Sequence, residues 1–328
     1  MSKLWDKGTA TNEAIEQFTV GRDREMDLYL APWDVLGTLA HVRMLATIDL
    51  LTDADRDALT DELRAIYGRA AAGDFTIEAG VEDVHSQVEL MLTRALGDVG
   101  KRVHSGRSRN DQVLVDLRLF TRGALRDLVT DVRTLFDRLL GLSEQHRDVL
   151  LPGYTHLQVA MPSSFGLWFG AWAEGLTDDL QLLLAAYRVN DQNPLGSAAG
   201  YGSSFPLDRE LTTELLGFER LNVNVVYAQM GRGKVERTVA YALAGLGGTL
   251  ARLAMDVTLY VSQNFGFLQF PDELTTGSSI MPHKKNPDVW ELIRGRGNRL
   301  QALPNEIALV TTNLPSGYHR DVQMIKEH

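Results

Sequence analysis

Residues 117–142, LRLFTRGALRDLVTDVRTLFDRLLGL, decide the fold. Leu117, Phe120, Ala124, Leu128, Val132, Leu135, Leu139 and Leu142 recur every three or four residues over about seven turns. Arg118, Arg122, Arg126, Asp127 and Arg133 fill polar positions between them. That is the apolar stripe of an amphipathic helix. A second series runs Phe165, Trp168, Trp172, Leu176, Leu180, Leu183 and Tyr187. A third runs Val235, Val239, Leu243, Leu246, Leu250, Leu253, Val257 and Val261. The ten prolines, at 32, 152, 162, 194, 206, 271, 282, 287, 304 and 315, leave 33–151, 163–193 and 207–270 free for long helices. No stretch alternates at period two with β-branched enrichment. The expected fold is all-α, built on three helices far longer than the usual mean of about 11–12 residues. Ala242, Ala244, Gly245, Gly247, Gly248 and Ala251 on the third predict close backbone approach there.

Working outward, shorter helices are expected over 22–51, 54–72 and 82–97, broken by Gly73 and Gly80. A boundary near Ser105–Ser108 divides a smaller N-terminal helical domain, 1–107, from a central long-helix bundle, 108–328. Ser108-Arg109-Asn110-Asp111 fits a capping box opening the first long helix, with Asp for the usual Glu.

Composition bounds the function classes. At 328 residues two domains are expected. Cysteine is absent, which excludes thiol nucleophiles, disulfides and cysteine-ligated metals. A net charge of −10 disfavours nucleic acid and anionic membranes. No apolar run reaches the roughly 18 residues of a membrane span. Met1–Lys7 lacks the apolar region of a secretory signal. The expectation is a soluble, cytoplasmic protein.

Common motifs fail. There is no phosphate loop: Gly196–Ser204 is Gly/Ser-rich but has no lysine, and Gly231-Arg232-Gly233 is a weak G-x-G. The histidines show no metal-ligand spacing, so no metal is expected. The stretch 275–288, TTGSSIMPHKKNPD, differs. Gly277 and Pro282 make it a loop. Asn286 reads as an N-cap, Pro287 as the first helical residue and Asp288 as the second. Two hydroxyls, two lysines and an asparagine thus meet at a helix N-terminus, a place that suits a carboxylate.

Gly277 through Pro287 resembles the signature loop of the fumarase/aspartase superfamily, G-S-S-x-M-P-x-K-x-N-P. Ser105–Gln112, SGRSRNDQ, resembles the first conserved region of its argininosuccinate lyase branch, and Pro152–Gln158, PGYTHLQ, the second. Glu82-Asp83-Val84-His85 and Asp34-x-x-x-Thr38-x-Ala40-His41 also fit, so the resemblance spans about 18–326.

The resemblance implies β-elimination of fumarate from an N-substituted succinate, without a cofactor. Removing a proton beside a carboxylate gives a dianionic aci-carboxylate, which needs a base and concentrated positive charge. By resemblance Ser278 is the base, with Ser279 its neighbour and second choice. Lys284 and Asn286 match the positions that hold the succinate carboxylate. His156 matches the acid/base histidine and Glu291 its carboxylate partner. Arg109, Asn110, Thr155, Tyr318, Gln323 and Lys326 match substrate-contacting positions. His85 and Ser108 are weaker candidates, and Arg107 is as well read as structural. His41, like His85, is as well read as buried. His104, His146, His319 and His328 are read as structural. The resemblance further implies a homotetramer in which three subunits contribute to each site.

Three departures stand out. The family's N-terminal Phe-Asn-x-Ser reads Phe18-Thr19-Val20-Gly21, so the serine contact is expected to be lost or moved to Thr19 or Arg22. The acidic stretch before the third long helix reads Ala228–Lys234, AQMGRGK. Relatives continue into the rest of the bundle and a small C-terminal helical domain, so the chain is expected to lack that part. The competing readings are another fumarate-releasing lyase, acting on adenylosuccinate, aspartate or malate, and a catalytically silent homologue. The SGRSRND string argues against the first. The intact set Thr155, His156, Ser278, Lys284, Asn286 and Glu291 argues against the second.

Overall fold

A computed structural model describes residues 13–327; the Met1–Lys7 segment and His328 discussed above lie outside them. In chain order the helices are α1 Glu13–Val20, α2 Asp23–Thr47, α3 Asp53–Ala71, α4 Val84–Leu96, α5 Asp98–Lys101, α6 Arg109–Gln145, α7 Phe165–Asn190, α8 Arg209–Leu215, α9 Val225–Met230, α10 Lys234–Val261, α11 Asp288–Leu300 and α12 Leu303–Thr311. The three apolar series lie on α6, α7 and α10, which are 37, 26 and 28 residues long. The protein is mostly helical, as expected, but not wholly. Strands β1 Leu150–Thr155 and β2 Gln158–Ser164 form an antiparallel hairpin, and β3 Gln192–Asn193 pairs in parallel with β4 Arg220–Leu221. The hairpin was hidden by Pro152 and Pro162. They sit opposite each other in the ladder, where a two-stranded ribbon leaves their missing N–H groups on open edges.

The chain divides into two compact units. The first is Met1–Ala124, Arg188–Lys234 and Val310–His328. Its core joins Val35, Val42 and Leu45 of α2 to Leu59, Leu63 and Ile66 of α3 and Val84, Val88 and Leu92 of α4. The starts of α3 and α4 are fixed locally: Thr52 accepts from the Asp55 N–H and Asp83 from the Ser86 N–H. Such caps contribute about 1 kcal/mol each. Gly100 is required where α5 turns against α4, because a Cβ there would run into the Leu92 carbonyl.

The second unit is Leu125–Tyr187 and Val235–Leu309. In its core, Leu125, Val132 and Leu139 of α6 pack with Ala173, Leu176 and Leu183 of α7 and Ala242 and Leu246 of α10. α6 and α7 run antiparallel, since Arg126 donates to the Tyr187 hydroxyl and Ser143 to the Gly166 carbonyl. α7 and α10 are antiparallel too, with Trp168 bonded to Asp256 and Gly245 facing Asp179. The small-residue stretch does its expected work: a Cβ on Gly297 of α11 would sit 2.5 Å from the Gly247 carbonyl oxygen of α10. α10 also corrects an expectation. By length and composition it could cross a membrane, although Ala242 and Leu246 are buried among neighbouring helices.

Candidate active site

In the first unit, the capping box at the start of α6 forms in altered shape. Asp111 Oδ1 accepts from the Ser108 N–H at 2.9 Å, while Ser108 Oγ accepts from the Asn110 N–H at 3.3 Å. Asp111 Oδ2 accepts from the Gly196 and Ala198 N–H groups, both at 2.9 Å. The Gly/Ser-rich loop thus cradles an anion after all, and the anion is the chain's own buried carboxylate. Burial pushes the Asp111 carboxyl up against the lowering effect of these three amides.

A cavity of about 260 Å³ in this unit is lined by His85, Arg109, Asn110, Tyr318, Gln323 and Lys326, residues drawn from α4, α6 and the 318–326 stretch. Several of these side chains are already engaged. Arg109 reaches Glu82 at 3.1 Å, Asp83 at 3.3 Å and the Ser86 hydroxyl at 2.6 Å. Lys326 pairs with Asp27 at 2.6 Å and Asp23 at 3.2 Å. Burial works to lower its pKa, and the two aspartates outweigh it, so the ammonium is held charged. Gln323 donates to the Thr19 carbonyl at 3.0 Å and accepts from Arg320. The ring of Tyr318 lies beneath the Arg232 guanidinium, 5.7 Å away.

The N-terminal departure resolves in part. Thr19 meets Gln323 through its backbone carbonyl, while its hydroxyl bonds to the Ile15 carbonyl; Arg22 pairs with Glu25. The histidines read as structural or buried behave differently from one another. His41 is fully buried on the Ser105 carbonyl, and burial lowers its pKa strongly. His104 is lowered to about 4 by burial and by Arg107 and Arg109. Arg107 donates to the Thr38 hydroxyl.

In the second unit, Thr155 and His156 stand exposed at the tip of the β1–β2 hairpin. Thr155 pairs with Gln158, so His156 and Leu157 make a two-residue turn, with φ of 54° and 58°. Hairpins favour that mirror-image turn, but Asn-Gly normally supplies it. Placing histidine and leucine there stores backbone strain, and it aims the imidazole outward.

The 275–287 loop is tied at its base by paired backbone hydrogen bonds between Thr276 and Asn286, of 2.8 and 3.2 Å. Thr276 also donates its hydroxyl to Asp288. This corrects the expected cap: Pro287 is the N-cap of α11, and Asn286 lies outside the helix, its amide turned toward Thr276 and Gly277. Above that base Ser278 is half-buried, and Ser279 and Lys284 are exposed. Lys285 is tied to Asp272, whereas Lys284 has no ion pair among the described residues. Glu291, on the first turn of α11, is 3.9 Å from Arg294. Among the described residues no hydrogen bond or ion pair joins His156 to Glu291 or Ser278.

The sequence reading quoted Asp34, His41, Glu82 and Asp83 within motifs but gave the acidic residues no role, and it missed Asp23, Asp27 and Asp116. Asp23, Asp27, Asp34 and His41 recur at helical spacing along one face of α2, and the last three are buried. Polar residues at core positions were the available signal. Asp34, His85 and Asp116 form the one His/Asp/Glu group among the described residues compact enough for a metal. His85 Nδ1 is taken up by a 2.6 Å hydrogen bond to Asp34, so the group is read as an ionic network.

A sequence profile of the lyase family matches residues 2–301. The argininosuccinate lyase of Parabacteroides distasonis is 65% identical over 325 residues, covering 99% of this chain and 73% of its own length. That of Phocaeicola vulgatus is 64% identical with the same coverage. The crystal structure of EDDS lyase in complex with formate superimposes with a TM-score of 0.82 at 26% identity, covering 97% of this chain and 65% of that one. The motifs quoted at the outset lie inside these matches, and the chain belongs to the lyase family, in its argininosuccinate lyase branch.

Proposed function

We propose that the chain splits argininosuccinate into arginine and fumarate by anti β-elimination. The observation that carries the reading is that residues expected from two separate stretches, Arg109 with Asn110 and Tyr318 with Gln323 and Lys326, line one cavity. That cavity offers guanidinium, ammonium and amide donors for carboxylates, and carboxylates for cationic groups of the substrate.

In this reading Ser278 takes the proton next to a succinate carboxylate. Lys284 and Asn286, on the same loop, stabilise the dianion that forms. The C–N bond then breaks, its electron pair leaving with the guanidino nitrogen as the C=C bond of fumarate forms. His156, from a different segment, serves the leaving nitrogen directly or through water, with Glu291 as its partner and Thr155 beside it. Ser279 remains the second choice as base. Lys284, the loop lysine without an ion pair among the described residues, is the one available for substrate.

We assign a cytoplasmic homotetramer, with each site assembled from several subunits. Support comes from the second unit, where Leu150, Leu157, Val159 and Leu167 at the hairpin and Ile280, Leu292 and Leu309 beyond it are exposed. Apolar surface of this extent marks an interface. Incubating the purified protein with argininosuccinate, adenylosuccinate, aspartate and malate, and following fumarate by its ultraviolet absorbance, tests the reading. Release from argininosuccinate alone is expected. Release from another substrate, or from none, would reject it.

A further inference from the structure

The first unit holds a buried ionic cluster that the chemistry above leaves unused. His85 Nδ1 lies 2.6 Å from Asp34 Oδ1 and 3.6 Å from Asp116 Oδ2. All three side chains are buried, at 6%, 1% and 0% exposure. Asp34 Oδ2 and both carboxylate oxygens of Asp116 have no hydrogen-bond partner. Burial and the Asp34 charge push the Asp116 carboxyl well up, so Asp34, at hydrogen-bond distance from the ring, is the carboxylate that favours a charged imidazole. His85 also lines the 260 Å³ cavity, and with Nδ1 engaged, Nε2 is the polar side-chain atom left to meet a ligand there.

We propose that His85 contacts substrate: held as an imidazolium by Asp34, with Asp116 packed beside it, it donates from Nε2 to a substrate carboxylate beside Arg109 and Asn110. Asp34 and Asp116 are then positioning residues. The inference rests on the argininosuccinate lyase reading and adds an anion-binding group to it.

The surrounding charges support it. Asp27 and Asp34 face the ring from α2, Asp83 from the α4 cap and Asp116 from α6. The cations nearby are Arg107, Arg109 and Lys326, with His104 also close. Lys326 is engaged by Asp27 and Asp23, and Arg109 by Glu82 and Asp83. Asp34 and Asp116 are left to His85 and Arg107. Burial opposes the charged ring, but the charge and hydrogen bond of Asp34, with Asp83 and Asp27, raise its pKa.

The test uses the full assembled enzyme. His85→Ala should raise KM for argininosuccinate on the order of 10- to 100-fold, the worth of a charged hydrogen bond, with a smaller fall in kcat. Asp34→Asn should shift KM in the same direction by less. In [15N]histidine-labelled protein, the Nε2 resonance that disappears in His85→Gln should move when argininosuccinate is added. A parent enzyme that turns over argininosuccinate, beside a folded His85→Ala with KM within about twofold of it, overturns the inference. If His85→Ala does not fold, the resonance decides: an unmoved Nε2 signal overturns the inference, and a shifted one sustains it. Failure of the parent itself to release fumarate would instead strike the functional reading.

Discussion

The two units hold their candidate residues in opposite ways. In the first, Arg109, Gln323 and Lys326 are tied to Glu82, Asp83, Thr19, Asp23 and Asp27 before any substrate arrives. In the second, His156, Ser279 and Lys284 stand exposed on a hairpin tip and on a loop bridged at its base by Thr276 and Asn286. The groups proposed to bind are preorganised by ion pairs and hydrogen bonds, the Lys326–Asp27 pair the most buried, which keeps the cost of ordering them out of the binding step. Groups assigned to the chemistry have few internal contacts to restrain them, as expected of segments that close over substrate. One consequence is that changes in the first unit should cost stability as well as affinity, while changes in the second should cost rate alone.

The largest effect should come from Ser278→Ala. Turnover should fall on the order of 10³-fold, with argininosuccinate still bound and the melting temperature unchanged. Retention of more than about a tenth of kcat would shift the base to Ser279 or His156. His156→Asn should also be slow, yet keep exchange of the abstracted proton with solvent if it acts only on the leaving side.

Next in size is Lys326→Met, on the binding side of the comparison. It strands the buried carboxylate of Asp27, and breaking a buried pair from one side costs about 3–5 kcal/mol. Denaturant unfolding should show that loss together with a higher KM. A variant as stable as the parent would mean that the pair contributes little.

Titration sharpens the contrast within the first unit. His85 has a raised pKa, so its contribution to stability is present below the ordinary histidine value of 6.5 and is lost as pH rises through the higher folded value. His104 is lowered to about 4, so the folded state is disfavoured as pH falls from 6.5 toward that value. Histidine NMR should find the two on opposite sides of 6.5, and a reversed order would contradict the assigned partners.

The smallest effect concerns the hairpin tip. Leu157→Gly relieves a left-handed leucine and should stabilise the hairpin by up to about 1 kcal/mol, as the melting temperature would report. A destabilised tetramer would show instead that Leu157 is covered by a partner subunit.

Much of this was legible in the sequence because helical periodicity is a local signal. The stripes on α6, α7 and α10 fell where the residues placed them, and Gly247 met its close neighbour. The β1–β2 hairpin was not legible, since its turn uses His156 and Leu157 where glycine or asparagine is the usual sign, and Pro152 and Pro162 argue against strands. The cap of α11 was misread because the bridge between Thr276 and Asn286 is fixed by loop closure, which no local pattern encodes. The pairing of Asp34 and Asp116 with His85 was hidden for another reason: a carboxylate on a buried face acquires meaning only when its partners from other helices are known.

In the proposed tetramer the first unit supplies groups for binding and the second groups for the chemistry, at sites shared between subunits. Mixing denatured Arg109→Met and Ser278→Ala chains, refolding them together and assaying fumarate release from argininosuccinate tests it most directly. Each variant alone should be nearly inactive, and the mixed tetramers should regain turnover far above either, because some sites then receive both intact groups. Mixed tetramers verified by native mass spectrometry that stay at the level of the separate variants would contradict the account.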